Sequence, residues 1–284
     1  MAGERILRSK FALIAGATTE LEKNIPGFEI ELLNAINDLL GQFETTGGVY
    51  VFSENNIQTL NLATSQIREI VNGSAYAQEI GTLFSDFDRI TALNQRYFTA
   101  AESINIGTIN LSALQQANIQ KTTESLLGVG INDQFIKPIK DILHDAVVSG
   151  EGVRAVQSRL NTFVAGSDER VGALQRHVPQ VARDAVNQHD GSIQQQVKES
   201  FELNAWSYEG SLIDDSRSQC VRWVNKEIIP DDQLQDEIKW AYKQCGFNNN
   251  QTTCNGMIPG TTPENWPVFR GGFNCRHHAT PTRI

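Results

Sequence analysis

The sequence predicts a mainly α-helical N-terminal region followed by a small α+β module at the C-terminus. Three observations carry that expectation. Apolar residues recur every three or four positions from Leu7 to Phe201, the period of a helix with one buried stripe. From Trp206 onward aromatic and β-branched residues replace that period, and turn residues crowd in, which is the composition of short strands and loops. All four cysteines, Cys220, Cys245, Cys254 and Cys275, fall in this last stretch, so their role belongs to one module. The expected boundaries are a helical region over 1–105, a second helical region over 106–204, and the module over 205–284.

The first helix carries Leu7, Phe11, Ile14 and Leu21, with Ile25-Pro26-Gly27 expected to break it. In EIELLNAINDLLGQF, Ile30, Leu33, Ile36, Leu40 and Phe43 mark one face of the next, and Thr45-Thr46-Gly47-Gly48 stops it. A β-rich run, Val49 to Phe52, precedes Ser53, whose hydroxyl suits the N-cap of a helix through Leu60, Ile67 and Ile70. Helical spacing continues through Ile80, Leu83, Phe87, Ile90 and Phe98, then through Leu111, Leu114, Ile119 and Leu126, with Gly128 and Gly130 as punctuation. Helices are expected at 133–148 and 152–164, separated by Ser149-Gly150, and from Val181 after Pro179 into Phe201, with Asp190-Gly191 as an interruption. His144, His177 and His189 read as ordinary surface or core histidines, because none has a second ligand at helical spacing.

Composition narrows function. Hydrophobic residues make up 40% of the 284 and charged residues 20%, a globular balance. A net charge of −9 argues against simple nucleic-acid wrapping, which draws on clustered Lys and Arg. No apolar run approaches the roughly 20 residues that cross a bilayer, so no membrane partner is expected, and the chain reads as a cytoplasmic protein without a signal peptide.

In the module, a strand is expected over 206–213, then the polar run Asp214 to Arg217, a helix from Ser218 carrying Cys220 and Trp223, and a second helix opened by Pro230-Asp231, with Leu234, Ile238 and Tyr242 on one face. The remainder is rich in Gly, Asn, Thr and Pro. Phe247, Met257, Trp266, Phe269 and Phe273 can pack on the two helices, and a loop of this length needs a metal or cross-link to hold it. Its end reads RGGFNCRHH, a cluster that suits a metal site, a thiol nucleophile with its base, or a structural knot.

Two separated blocks, WSYEGSLIDDSRSQCVRWVNK and MIPGTTPENWPVFRGGFNCRHHATPT, together resemble the C-terminal signature of the phage Mu F-like minor head proteins, the head-morphogenesis family of tailed bacteriophages. The matching positions are Tyr208, Gly210, Asp215, Ser216, Arg217 and Cys220, then Gly271, Gly272, Asn274, Cys275, Arg276 and His277, and VARDAVNQHDGSIQQQVKESF resembles the helix that precedes this signature. The resemblance covers about the last third of the chain. It implies a minor capsid protein of the virion, assembled in the host cytoplasm at the portal vertex, with the portal protein as partner, the major capsid or scaffold protein and packaged DNA as further ones, and several copies per vertex. Many members resemble a Cys-x-x-Cys followed by His-Pro-Asn-Cys-Arg-Cys. This chain keeps one cysteine in the first block, has Gly272-Phe273 in place of His-Pro, and ends on His277.

Three chemistries remain open for these residues. Zinc would take Cys220, Cys275 and His277, with Cys245, Cys254 or His278 as the fourth ligand, since thiolates and imidazole are its usual structural company. A disulfide would join Cys245 to Cys254 or Cys220 to Cys275. A cysteine- or metal-dependent hydrolase or effector carried in the virion would use Cys220 or Cys275 as nucleophile, His277 or His278 as base and Asp214 or Asp215 to orient it. The structural reading, which the residues favour, has Asp215 capping the helix at Ser218, Arg217 and Arg276 donating to loop carbonyls, Gly271 and Gly272 making a tight turn, and Asn274 to His277 plugging the module.

Overall fold

The structure, a computed structural model, describes residues 2–244 and 256–284. It is mainly helical, with a small α+β module at the C-terminus. Helix α1 (Ala2–Gly16) buries Gly3, Leu7, Lys10 and Ile14, the spacing expected, with a lysine standing on the apolar stripe. Helix α2 (Thr19–Leu40) then runs straight through Pro26, where a break is expected. Its buried stripe of Leu21, Ile25, Phe28, Leu32 and Ile36 keeps helical register across the proline. A proline inside a helix costs roughly 3 kcal/mol. Burying each large apolar side chain gains roughly 1.5–3 kcal/mol, so the stripe prevails. The buried face also differs from the one read off the sequence, since Ile30 is 61% exposed while Leu32 and Leu39 are buried.

Strands β1 (Thr45–Thr46) and β2 (Val49–Tyr50) pair antiparallel around Gly47 and Gly48, both at positive φ, as a two-residue hairpin turn requires. Ser53 caps helix α3 (Glu54–Gly73) as expected, its hydroxyl accepting from the Asn56 amide at 3.1 Å. Helices α4 (Ala75–Ala101) and α5 (Leu111–Leu126) follow. After the short α6 (Val129–Ile131) the backbone widens into a π-helical turn at Asn132–Ile136, which leads into α7 (Lys137–Ser149). Gly150 ends α7 in the left-handed conformation. Helix α8 (Val153–Val164) leads to a hairpin absent from the sequence reading, β3 (Gly166–Ser167) with β4 (Arg170–Val171). Helix α9 (Ala173–Ser200) is continuous, with Pro179 and Asp190-Gly191 inside it.

The described chain forms two units, neither a continuous stretch: Thr18–Leu83 with Gln120–Ala182, and Met1–Ala17 with Phe84–Ile119 and Arg183–Ile284. The sequential boundaries at 105 and 204 coincide with neither, because segments remote in sequence complete each core. In the second unit, strand β5 (Ala205–Glu209) is central to a three-stranded antiparallel sheet between β6 (Ile228–Pro230) and β7 (His278–Thr282). Helices α10 (Ser218–Lys226) and α11 (Asp231–Lys243) stand where the sequence places them, and a single turn, α12 (Trp266–Phe269), follows. Trp206, Tyr208, Trp223 and Trp266 are all buried and stack edge to face or tilted, with centroids 5.3–5.9 Å apart, over Ile229, Leu234, Ile238 and Met257. Phe269 and Phe273 are half-buried, whereas Phe247 lies outside the described residues. Among the described residues no helix is long and apolar enough to cross a membrane.

Candidate functional site

Strand alternation in β5 turns Trp206 and Tyr208 inward together. Helix α10 buries Gln219, Cys220 and Trp223 on one side, which aims the Cys220 sulfur at the same interior. The strand stops at Glu209 rather than at Ile213. A Cβ at Gly210 would collide with the His277 ring, and beyond it Leu212 and Ile213 are exposed.

The loop from Arg270 to His277 is fixed by Arg217. Its guanidinium donates to the Gly271 carbonyl at 2.9 Å and to the Phe273 carbonyl at 2.5 Å, and the Gln219 amide also donates to Gly271 at 3.1 Å. Gly272 sits at φ 101°, where its backbone passes against Gly256, and a Cβ on Gly271 would strike the sulfurs of Cys220 and Cys275. Asn274 has φ 56°; its side chain is exposed and its backbone N–H donates to Asp184 Oδ1 at 2.8 Å. The expected tight turn and its arginine clamp are both present.

Cys220, Cys275 and His277 are thereby brought together, all buried, with donor atoms within 4.8 Å of one another. The Cys275 sulfur lies 3.8 Å from His277 Nδ1, and the Tyr208 hydroxyl lies 3.7 Å from Cys220 and 3.6 Å from Cys275. Tyr208 stacks on the His277 ring at 5.5 Å. Both thiols are free. The hydrogen bond to Cys275 and then burial push the Cys220 thiol up. The bond from Cys220 holds Cys275 well below the usual thiol range against the cost of burial, with help from His277 and Arg270. Buried His277 Nε2 has no hydrogen-bond partner. Two sulfurs and an imidazole in one dry pocket form a donor set able to hold a metal ion. Cys245 and Cys254 lie outside the described residues.

Other expected roles change hands. Asp215 is exposed and does not cap α10; the N-cap residue is Arg217, without a side-chain cap bond. The turn is closed instead by Ser216, whose hydroxyl accepts from the Ile213 amide at 2.8 Å. Arg276 is exposed. The interior arginine is Arg270, which donates to the His277 carbonyl at 2.8 Å and to the Asn187 carbonyl. Asp214 and Asp215 are both exposed, and among the described residues neither accepts from His277 or His278. His278 faces a different neighbourhood, stacking on Phe11 at 3.8 Å with Nδ1 3.8 Å from Asp190.

That neighbourhood escaped the sequence reading. Lys10 Nζ lies 3.1 Å from Asp190 Oδ1 and donates to Asn94 at 3.1 Å, while the Asn94 amide and Gln194 donate to the same carboxylate at 3.0 and 3.2 Å. Lys10, Asn94, Asp190 and Gln194 are wholly buried. Burial opposes the Asp190 charge, but Lys10, His278 and Arg270 hold its carboxyl well below the usual range. The readable signal was Lys10 itself, a charge at an apolar position of α1. His189 is also buried, stacked on Phe87 at 4.4 Å; His144 is exposed and His177 half-buried. Compared with protein-family models, curated proteins and solved structures, the chain matches none.

Proposed function

We propose that this chain is a structural and assembly component of a tailed-phage head, a minor capsid protein that works by binding at the portal vertex. One observation supports the reading above others: the two blocks that carry the resemblance meet in one buried knot through Arg217, Cys220, Gly271, Cys275 and His277, although Cys220 and Gly271 stand some fifty residues apart in sequence. The knot is closed to solvent and held by backbone carbonyls, as befits a rigid foot rather than a reaction site. Portal protein is the principal partner, with major capsid or scaffold protein and DNA as further contacts. The test is co-purification of the chain with portal from assembling heads. Cys275→Ala should weaken assembly only as far as it lowers thermal stability; loss of a hydrolytic activity without unfolding would instead support the hydrolase reading.

Within this reading the ion held by Cys220, Cys275 and His277 is zinc, a cross-link that ties α10 to the terminal loop. Soft sulfurs, the unpartnered His277 nitrogen and the ionisable Cys275 suit it. Elemental analysis of reduced protein should find about one zinc per chain, and Cys220→Ser should bring it to background. Protein equally stable before and after chelation, with no metal at any stage, would overturn the assignment.

A further inference from the structure

In the unit built from Thr18–Leu83 and Gln120–Ala182, the π-helical turn, α7, α8, the β3–β4 hairpin and the start of α9 line a cavity of about 510 Å³. That volume lies inside the roughly 300–1,000 Å³ of small-ligand sites. π-Helical turns interrupt regular hydrogen bonding and recur at functional sites; this one contributes Asp133 to the lining.

The lining has a distinctive charge. Arg170 from the hairpin and Arg176 from α9 both face the cavity, and neither has a carboxylate partner among the described residues. Arg176 donates only through Nε, to the Gly172 carbonyl at 3.3 Å, which leaves its terminal nitrogens available. His177 donates Nε2–H to the Ser125 carbonyl at 3.3 Å, so Nδ1 is the remaining site on its ring. The cavity also has an aromatic wall. Phe163 lines it, backed by the buried Phe135 with centroids 5.9 Å apart, and the Gln180 amide stands on the same wall as the arginines.

Two unpaired guanidiniums on one cavity offer two bidentate forks. A carboxylate fills one; a phosphate monoester, with three terminal oxygens, engages both. The aromatic wall adds a surface for a flat apolar group. From this arrangement we propose that the cavity binds a small organic phosphate with a planar ring, the class of the nucleoside monophosphates. The site stands apart from the head-assembly reading and is independent of the thiol cluster.

Isothermal titration of the full chain with AMP, inorganic phosphate, adenosine and a single-stranded DNA oligonucleotide tests it. AMP should bind more tightly than phosphate or adenosine. Arg170→Ala and Arg176→Ala should each weaken AMP about 10- to 100-fold, the effect of a lost hydrogen bond to a charged group. Arg176→Lys should not restore binding, because a lysine has no fork. The melting temperature of each unliganded variant should match the parent, which separates lost binding from lost folding. No binding of AMP at millimolar concentration, or AMP binding unchanged in both alanine variants, would overturn the proposal. Phosphate binding as tightly as AMP would overturn the nucleoside class, and tight oligonucleotide binding without AMP binding would assign the cavity to a nucleic-acid backbone instead.

Discussion

Lys10 and Asp190 show how a single charged residue can be carried inside a core. Each is wholly buried, and each has the other at 3.1 Å; the side-chain amides of Asn94 and Gln194 donate to Asp190 Oδ1, while Oδ2 has no hydrogen-bond partner among the described residues and lies 3.8 Å from His278 and 4.0 Å from Arg270. Removing one member of such a pair leaves an uncompensated interior charge. Asp190→Ala should therefore lower unfolding free energy by about 3–5 kcal/mol. The double variant Lys10→Met, Asp190→Leu should lose less than the two single changes combined, as a urea-unfolding cycle would measure. His189 gives a second residue-scale expectation. Burial lowers its pKa to about 4, below the ordinary value of about 6.5, so between those values the unfolded chain holds a proton that the folded chain lacks. Stability from this group is complete above pH about 6.5 and falls as pH drops toward 4, by up to about 1.4 kcal/mol per pH unit. Buried His278, also lowered to about 4, adds to this slope, and Asp184, raised to about 6 by burial, opposes it, so the readout is a difference: denaturation at several pH values should show a loss toward low pH larger in the parent than in His189→Gln by that increment.

At the scale of elements, helix α2 carries Pro26 on its exposed side while its buried stripe passes uninterrupted. Pro26→Ala should raise stability by about 1–3 kcal/mol, since the exposed position regains an amide donor and loses the ring clash, with the denaturation midpoint as the readout. Gly191→Ala should do the opposite, because the new Cβ would meet the Pro267 carbonyl inside α9's packing against α12. These two positions also mark how far elements could be read. Period and capping located α3, α7, α8, α10 and α11 well, since Ser53, Gly150 and Pro230 act locally. Pro26 and Gly191 misled because tertiary packing decided what they cost. Strand β7 was illegible: His278 to Thr282 contains Pro281 and lacks alternation, and only pairing with β5 makes it an edge strand, where proline is tolerated. In the site, the residues Cys220, Cys275, His277, Arg217 and the glycine pair were legible because backbone turns and a fork-shaped donor have few alternatives. Arg270 and Arg276 flank one loop, and nothing local tells which turns inward; Arg270 does so with φ 45°.

Across the whole molecule, each unit is assembled from segments far apart in sequence. The module beginning at Ala205 is bound to α9 through Arg270 with the Asn187 carbonyl, Asn274 with Asp184, and His278 beside Asp190. A fragment of residues 205–284 lacks all three partners. It should show no cooperative thermal transition by circular dichroism, whereas the full chain should; a sharp transition in the fragment would mean the module folds by itself. The order of synthesis follows from the same layout. The ribosome has joined every residue of the unit ending at Ala182 before it adds Asp190, and Arg270 comes later still. At translation rates of about 5–20 residues per second, Lys10 waits on the order of ten seconds or more for its counter-charge, a nascent helix with a bare cation on its greasy side and a natural client for chaperones.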